Sequence, residues 1–266
     1  MSNYKTILIK NEEAIATVWL NRSDRHNALN PVLMREVIHY FQKIENDTTI
    51  RIVVIRGKGK SFCAGADLNW MKESANLSEE ENKQDSRLLA DFFSTIYYSS
   101  KITIAITHGN IYGGGNGLVA ACDLSLGLGD CRFSFSETRL GLIAATITPL
   151  MLQRLHPSVY KLLVFSALSF NGTEAQEIGL LNKVFSTSEM LEEYLKKINS
   201  AMLQGGPNAL SGSKRLINDL LDPSRSAETK KRIPDILATI RVGDEAREGF
   251  AAFLEKRKPD FEKFRK

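Results

Sequence analysis

The sequence predicts an α/β fold in which helices cover a parallel sheet. Short apolar, β-branched runs alternate with helical patterns through the first two thirds of the chain, and glycine-rich loops follow two of these runs. From about residue 143 the pattern becomes mostly helical. Alternation of strands and helices is typical of parallel sheets, because each crossover helix packs against a face of the sheet.

The first predicted elements are two strands at residues 4–10 and 14–20, joined by the polar link Asn11-Glu12-Glu13. A helix is then predicted to begin at Asn30-Pro31, because Asn is a good N-cap and Pro fits the first helical position. The apolar face of this helix is given by residues at helical spacing: Leu33, Val37, Phe41 and Ile44.

Two fully apolar runs, at residues 52–55 and 102–106, predict strands that are buried on both faces. Between them, Ser78 and Glu81 have the spacing of a capping box, which predicts a helix that starts near Ser78. Its apolar face continues with Leu88, Phe92 and Ile96.

A further strand is predicted at residues 123–126, and Ser186 with Glu189 predicts another capped helix. We expect residues 1–200 to form the core, and residues 201–266 to form a helical region that packs on the core or against another subunit.

Composition excludes several classes of function. The net charge of +4 is mild and basic residues alternate with acidic ones, so no nucleic-acid-binding stripe is predicted. The three cysteines, at 63, 122 and 131, are widely spaced and form no cluster with metal-ligand spacing. We therefore expect free thiols and no metal. Because no signal region or membrane-length apolar run is present, we expect a cytoplasmic protein without a membrane partner.

Two loops carry small residues after predicted strands, at 61–67 and 113–117. In a parallel sheet both would lie at the carboxyl ends of strands, where α/β ligand sites form. One backbone N–H from each loop could then bind the same carbonyl oxygen as negative charge develops on it. Either loop alone is weak evidence, since a glycine triplet is more often a tight turn.

Six segments match a known family in order and spacing: 27–30, 61–68, 112–115, 121–123, 135–142 and 249–257. On these residues the chain resembles the crotonase (enoyl-CoA hydratase/isomerase) superfamily over nearly its whole length. This resemblance implies a ββα spiral fold with a helical C-terminal trimerisation region, and an acyl thioester of coenzyme A (CoA) as substrate.

The resemblance also implies roles for individual residues. The backbone N–H groups of Ala66 and Gly114 would form an oxyanion hole, and Glu137 would transfer protons. Acyl-CoA contacts are implied for Ala28, Ala64, Asp67, Leu68, Gly113, Asn116 and Lys256. No cofactor is expected beyond the CoA of the substrate, and the implied assembly is a homotrimer or a dimer of trimers.

The chain departs from the familiar two-glutamate hydratases at Gly117, where they carry their first glutamate. A single glutamate is sufficient for the isomerases of the superfamily. However, residues 115–123 and 136–149 resemble the bacterial methylglutaconyl-CoA hydratases, which also have glycine there. We therefore expect hydration of a methylglutaconyl-like 2-enoyl-CoA. A Δ3,Δ2-enoyl-CoA isomerase is the alternative, ahead of a decarboxylase, a hydrolase or a non-catalytic CoA or RNA binder.

Four further residues have two interpretations each. Arg139 could bind a distal substrate carboxylate or form a surface ion pair. His108 could act as a base, but its position at a strand end favours a structural role. Asp67 has the position of a helix N-cap. Asn116 could hold a water near Gly117 or satisfy the loop backbone.

Overall fold

The computed structural model describes residues 4–264. Its strands form a six-stranded sheet in the order β1-β2-β3-β4-β6-β9 and a three-stranded sheet in the order β5-β7-β8. The strand bounds are β1 Ile7–Glu12, β2 Ile15–Leu20, β3 Ile52–Gly57, β4 Ile102–Thr107, β5 Asn110–Tyr112, β6 Leu124–Leu128, β7 Arg132–Ser134, β8 Phe170–Asn171 and β9 Lys183–Phe185.

Helices connect the strands and make up nearly all of the chain after residue 186. The helix bounds are α1 Pro31–Ile44, α2 Leu68–Ser74, α3 Glu79–Tyr98, α4 Gly114–Ala121, α5 Thr148–Arg154, α6 Pro157–Ser166, α7 Gly172–Glu177, α8 Ser188–Leu203, α9 Pro207–Leu221, α10 Pro223–Arg241 and α11 Asp244–Leu254. The expected division at residue 200 therefore falls within the last turn of α8.

The large sheet is parallel from β2 to β9, and only β1 pairs antiparallel, with β2. Strand β3 is buried on both of its faces, as predicted: Val53 and Ile55 pack into the main core, whereas Ile52 and Val54 pack into a second core that includes Leu191 of α8. The α/β class with a parallel sheet is confirmed.

The predicted start signals of α1 and α3 are confirmed. The Asn30 side chain accepts a hydrogen bond from the Leu33 N–H at 2.9 Å. Ser78 and Glu81 form both halves of the capping box. The four apolar residues predicted for α1 are all buried.

Several predicted boundaries were wrong. Asn11 and Glu12 belong to β1, and the turn consists of Glu13 and Ala14, with Glu13 in the left-handed region at φ 53°. The N-cap of α8 is Thr187 rather than Ser186, because it is the Thr187 side chain that accepts the Met190 N–H. Strand β1 also starts three residues later than predicted, at Ile7. The errors at the end of β1 and at the start of α8 are of one or two residues, where several polar residues compete for the same role.

The path into the glycine loop was also predicted incorrectly. The strand at 102–106 does not lead straight into it: the chain bends at Gly109, which has φ 58°, and forms β5 first. Helix α4 begins within the glycine run, at Gly114. The short strands β5, β7 and β8 carry too few residues to show a period-2 pattern, so the second sheet was not predicted.

Candidate active site

Hydrogen bonds join the two glycine-containing loops side by side. Phe62 N–H donates to the His108 carbonyl at 2.9 Å, and Tyr112 N–H donates to the Cys63 carbonyl at 3.1 Å. Cys63 and Ile111 form an isolated parallel bridge between these bonds. The loops are therefore aligned by the segment that contains β5, and not by β4.

The close approach of the loops requires glycine at two positions. Gly65 has φ +93°, and a Cβ on it would lie 2.9 Å from the Tyr112 carbonyl oxygen. A Cβ on Gly115 would overlap the Cys63 carbonyl oxygen. Each loop thus uses a glycine where the other loop's backbone passes.

The Ala66 N–H points away from the neighbouring chain segment. The Gly65 carbonyl, in the same peptide unit, accepts the Leu29 N–H at 2.7 Å. In a trans peptide the carbonyl and the N–H point in opposite directions. The Ala66 N–H therefore faces the opposite side, where Ala66 lines a cavity of about 270 Å³.

The Gly114 N–H is oriented in the same way by the start of α4. The Gly113 carbonyl accepts the Asn116 N–H at 2.9 Å, so the Gly114 N–H points out of the helix N-terminus. Within residues 4–264, neither this N–H nor that of Ala66 donates to another group. Both residues line the same cavity.

Glu137 brings a carboxyl group to this cavity. A Cβ on Gly113 would lie only 3.2 Å from Glu137 Oε1, so the carboxyl lies against the glycine loop. Its Oε2 is buried and has no hydrogen-bond partner among the described residues. Burial raises the pKa of Glu137, and a hydrogen bond from its own backbone offsets only part of this effect. Such a carboxyl is suited to accept a proton and release it again.

The space beside Gly117 is filled by apolar side chains. A Cβ on Gly117 would overlap Ile147 Cγ2 and lie 2.8 Å from Phe93 Cζ. The next residue back, Asn116, is fully buried and its Nδ2 donates to the Ser134 carbonyl at 2.8 Å. The amide thus satisfies the backbone of β7 through Nδ2, whereas its Oδ1 is buried without a hydrogen-bond partner among the described residues.

The remaining predicted acyl-CoA contacts lie outside the lining of this cavity. Ala64 N–H donates to the His26 carbonyl at 3.0 Å, and Leu68 is 73% exposed. Asp67 is the N-cap of α2, as predicted, since its Oδ1 accepts the Asn69 N–H at 2.8 Å. Lys256 is exposed at the end of α11.

Arg139 and His108 make surface or structural contacts. The Arg139 guanidinium is exposed and its Nη2 lies 3.5 Å from the Ser166 carbonyl oxygen. His108 Nε2 lies 3.0 Å from the Gly59 carbonyl oxygen. Neither residue lines the cavity with Glu137.

The opposite wall of the cavity was not predicted from the sequence. It comes from α2 and α3, where the Trp70 Nε1 donates to Asp85 Oδ2 at 2.7 Å. Helical periodicity indicates which face of α3 is apolar, but not which residues of that face meet the glycine loop.

Three other predictions concern the cysteines, a metal site and a membrane span. Cys63, Cys122 and Cys131 are free and buried, and burial raises the pKa of the Cys63 and Cys122 thiols to about 12. Between residues 4 and 264, no group of His, Cys, Asp and Glu side chains has an arrangement suited to a metal ion. Over the same residues, none of the helices combines the length and the apolar character that crossing a membrane requires.

The chain is similar in sequence to known enoyl-CoA hydratases and dienoyl-CoA isomerases. The model of the enoyl-CoA hydratase/isomerase family matches residues 10–264. The chain is 33% identical to the crotonyl-CoA hydratase of Syntrophomonas wolfei, over 97% of this chain and 98% of that protein. It is 32% identical to the mitochondrial Δ(3,5)-Δ(2,4)-dienoyl-CoA isomerase of Mus musculus, over 80% of this chain and 68% of that protein.

A solved structure confirms the fold. The crystal structure of an enoyl-CoA hydratase from Shewanella pealeana superimposes with a TM-score of 0.91 at 29% identity, over 97% of this chain and 96% of that one. The predicted crotonase-like fold is therefore confirmed.

Proposed function

The chain belongs to the enoyl-CoA hydratase/isomerase family, and we propose that it hydrates a 2-enoyl-CoA thioester with Glu137 as the proton-transferring carboxylate. One observation carries the proposal. Among residues 4–264, Glu137 Oε2 is buried without a hydrogen-bond partner, and Glu137 lines the same cavity as Ala66 and Gly114, whose N–H groups donate to no other group there.

The two N–H groups would act on charge that develops during the reaction. When an oxygen nucleophile adds to C3 of the enoyl group, negative charge moves onto the thioester oxygen. Donors already aimed at that oxygen stabilise the enolate more than the neutral substrate, which lowers the barrier. Because these donors are backbone groups, their position depends on the loops rather than on a side chain.

One carboxylate can complete the addition of water. As the water oxygen bonds to C3, the Glu137 carboxylate takes the water proton and the double-bond electrons form the enolate. The resulting carboxylic acid then donates that proton to C2, and the enolate returns to a thioester. Glu137 ends in its starting state, and its raised pKa brings the acid and base forms closer in energy near neutral pH.

For the acyl group we propose a branched, methylglutaconyl-like chain. The support is the resemblance of residues 115–123 and 136–149 to that branch of hydratases. Among the described residues, no Lys or Arg lines the cavity. A distal carboxylate would therefore have to bind to neutral polar groups. Ser86 provides such a group on the wall formed by α2 and α3, whereas the Ser74 hydroxyl and the Asn82 amide nitrogen would have to give up their bonds to backbone carbonyls.

The geometry beside Gly117 favours a second candidate, a Δ3,Δ2-enoyl-CoA isomerase. Phe93 and Ile147 leave no room there for a second carboxylate. In an isomerase Glu137 would take a proton from C2 of a 3-enoyl thioester and return it to C4. This reaction needs no water and only one carboxylate.

The remaining features of the proposal follow the family resemblance. Ala28, Ala64, Leu68 and Lys256 would contact the CoA part of the substrate, Lys256 through its charge on a phosphate. No cofactor would be needed apart from the CoA of the substrate. The assembly would be a homotrimer or a dimer of trimers, formed through the C-terminal helices.

The test is to incubate the protein separately with crotonyl-CoA, methylglutaconyl-CoA and 3-hexenoyl-CoA. Hydration removes the absorbance of the conjugated enoyl group, whereas isomerisation of 3-hexenoyl-CoA creates it. We expect Glu137→Gln to lower kcat by about 10²–10⁴-fold, and Glu193→Gln, on the exposed side of α8, to leave it unchanged. If 3-hexenoyl-CoA is the only one of the three that is turned over, the proposed activity is isomerisation and not hydration. Full activity of Glu137→Gln would exclude both mechanisms.

A further inference from the structure

We propose that the ion pair between Arg22 and Asp67 positions the Ala66 N–H, so that Arg22 is a positioning residue of the oxyanion hole. This inference rests on the proposed function, because it assumes that the Ala66 N–H binds the thioester oxygen. Neither Arg22 nor Asp67 lines the cavity itself.

The Arg22 guanidinium links two segments on either side of it. Its Nη2 lies 2.6 Å from Asp67 Oδ2, and its Nη1 donates to the Ala28 carbonyl at 2.5 Å. The exposed fractions of the two charged side chains are only 15% and 7%. A planar guanidinium that donates from two nitrogens holds both partners in a defined geometry, which a lysine cannot reproduce.

The Ala66 N–H lies next to the two groups that Arg22 binds, the Ala28 carbonyl and the Asp67 carboxylate. Ala66 forms an isolated parallel bridge with Leu29, held by the bonds from Leu29 N–H to Gly65 and from Asp67 N–H to Leu29. Among residues 4–264, no longer ladder continues this bridge. Arg22 binds the residue before Leu29 and the residue after Ala66, and therefore fixes the bridge from both of its ends.

Charge makes this contact hard to replace. Burial alone would raise the pKa of Asp67, but the Arg22 guanidinium and the N–H groups of Asn69 and Trp70 hold it below its ordinary value. Asp67 therefore stays ionised, and a buried carboxylate needs its partner. Because Asp67 also caps α2, movement of its side chain would shift Trp70 in the cavity wall as well.

Two variants distinguish a displaced Ala66 N–H from a loss of the folded structure. Arg22→Lys keeps the positive charge but loses the two-nitrogen geometry. Arg22→Met combined with Asp67→Asn removes both charges, so that no buried charge is left unpaired, and Asn keeps the helix cap. The matched control is Arg56→Met with Glu192→Gln, which removes a two-nitrogen ion pair away from the cavity.

The measurement uses acetoacetyl-CoA, whose enolate absorbs in the near ultraviolet. This absorbance reports binding of the enolate and does not depend on turnover. We expect the wild type and the Arg56/Glu192 control to raise the enolate fraction of the bound probe. We expect both Arg22 variants to lower the enolate-to-neutral ratio about tenfold, and kcat by a similar factor, with KM within about threefold.

The outcomes are distinguishable. An enolate ratio in both Arg22 variants equal to that of the wild type would overturn the positioning role and leave the oxyanion hole intact. If the wild type itself does not raise the enolate fraction, the oxyanion hole of the proposed function is wrong, and the positioning role falls with it.

Discussion

The ring of Phe93 lies where a side chain on Gly117 would project. Phe93 Cζ would be 2.8 Å from a Cβ on Gly117, and Ile147 Cγ2 would overlap that Cβ. The position at which two-glutamate hydratases carry a carboxylate is therefore a packed apolar contact in this protein. A water held there would find no polar partner on Phe93 or Ile147.

We predict that Gly117→Ala destabilises the protein. The added methyl would overlap buried side chains, and overpacking of this kind costs about 1–3 kcal/mol. Gly212→Ala is the matched control: it lies within α9 and an added Cβ would meet nothing within 4 Å. That change should stabilise by about 0.5–1 kcal/mol, because glycine is a poor helix former. Denaturant unfolding of both variants measures the difference, and equal effects would contradict the packing of Phe93 against Gly117.

We predict that kcat/KM falls on acidification with a midpoint above 4.5, the ordinary pKa of a glutamate. Burial raises the pKa of Glu137, so its base form is lost at a higher pH than that of an exposed carboxylate. Initial rates measured across the pH range give this midpoint. The residual rate of Glu137→Gln should lack this limb, and a midpoint at or below 4.5 would show that the carboxyl is not desolvated in the free enzyme.

We predict that Glu137→Gln stabilises the folded protein at neutral pH. With a folded-state pKa above the unfolded one, ionisation of Glu137 favours the unfolded state. This penalty is absent below the unfolded pKa, near 4.5, and is complete above the folded pKa. The melting temperature of Glu137→Gln should therefore exceed that of the wild type at pH 7, and the gap should close towards pH 4.5. A gap that is independent of pH would contradict the prediction.

We predict that Glu248→Gln releases the chain that follows α11. Glu248 Oε1 lies 2.6 Å from Arg257 Nη1 and 2.8 Å from the Asp260 backbone N, and Oε2 lies 2.8 Å from Lys263 Nζ. These contacts, Arg257 first, lower the pKa of Glu248. Their contribution is present above the unfolded pKa and is lost as the pH falls through the lowered one.

Limited trypsin digestion at neutral pH measures this release. Cleavage after Lys256 and Arg257 should be about threefold faster or more in Glu248→Gln, because local opening exposes the backbone to the protease. Glu228→Gln, on exposed α10, is the control and should be cleaved like the wild type. Equal rates in all three proteins would show that Glu248 does not hold the C-terminal segment.

Much of the fold was predictable because its signals are local. The Asn30 cap depends on a residue three positions away, and the buried character of β3 depends on its own four apolar residues. The prediction failed where several polar residues compete, as at Thr187, and where strands are two or three residues long, as in the second sheet. The proximity of Ala66, Gly114 and Glu137 was implied by the family resemblance, and the cavity lining contains all three.

By itself the sequence determined the α/β class and the two glycine-containing loops that follow strands, and its family resemblance indicated a single glutamate in place of two. Only the tertiary structure decided what fills the space beside Gly117 and what holds the Ala66 N–H in place. Phe93 lies on α3, ahead of the glycine loop, and Arg22 is 45 residues from Asp67. Contacts between such distant segments depend on how helices and loops pack in three dimensions, and no local pattern in the chain encodes them.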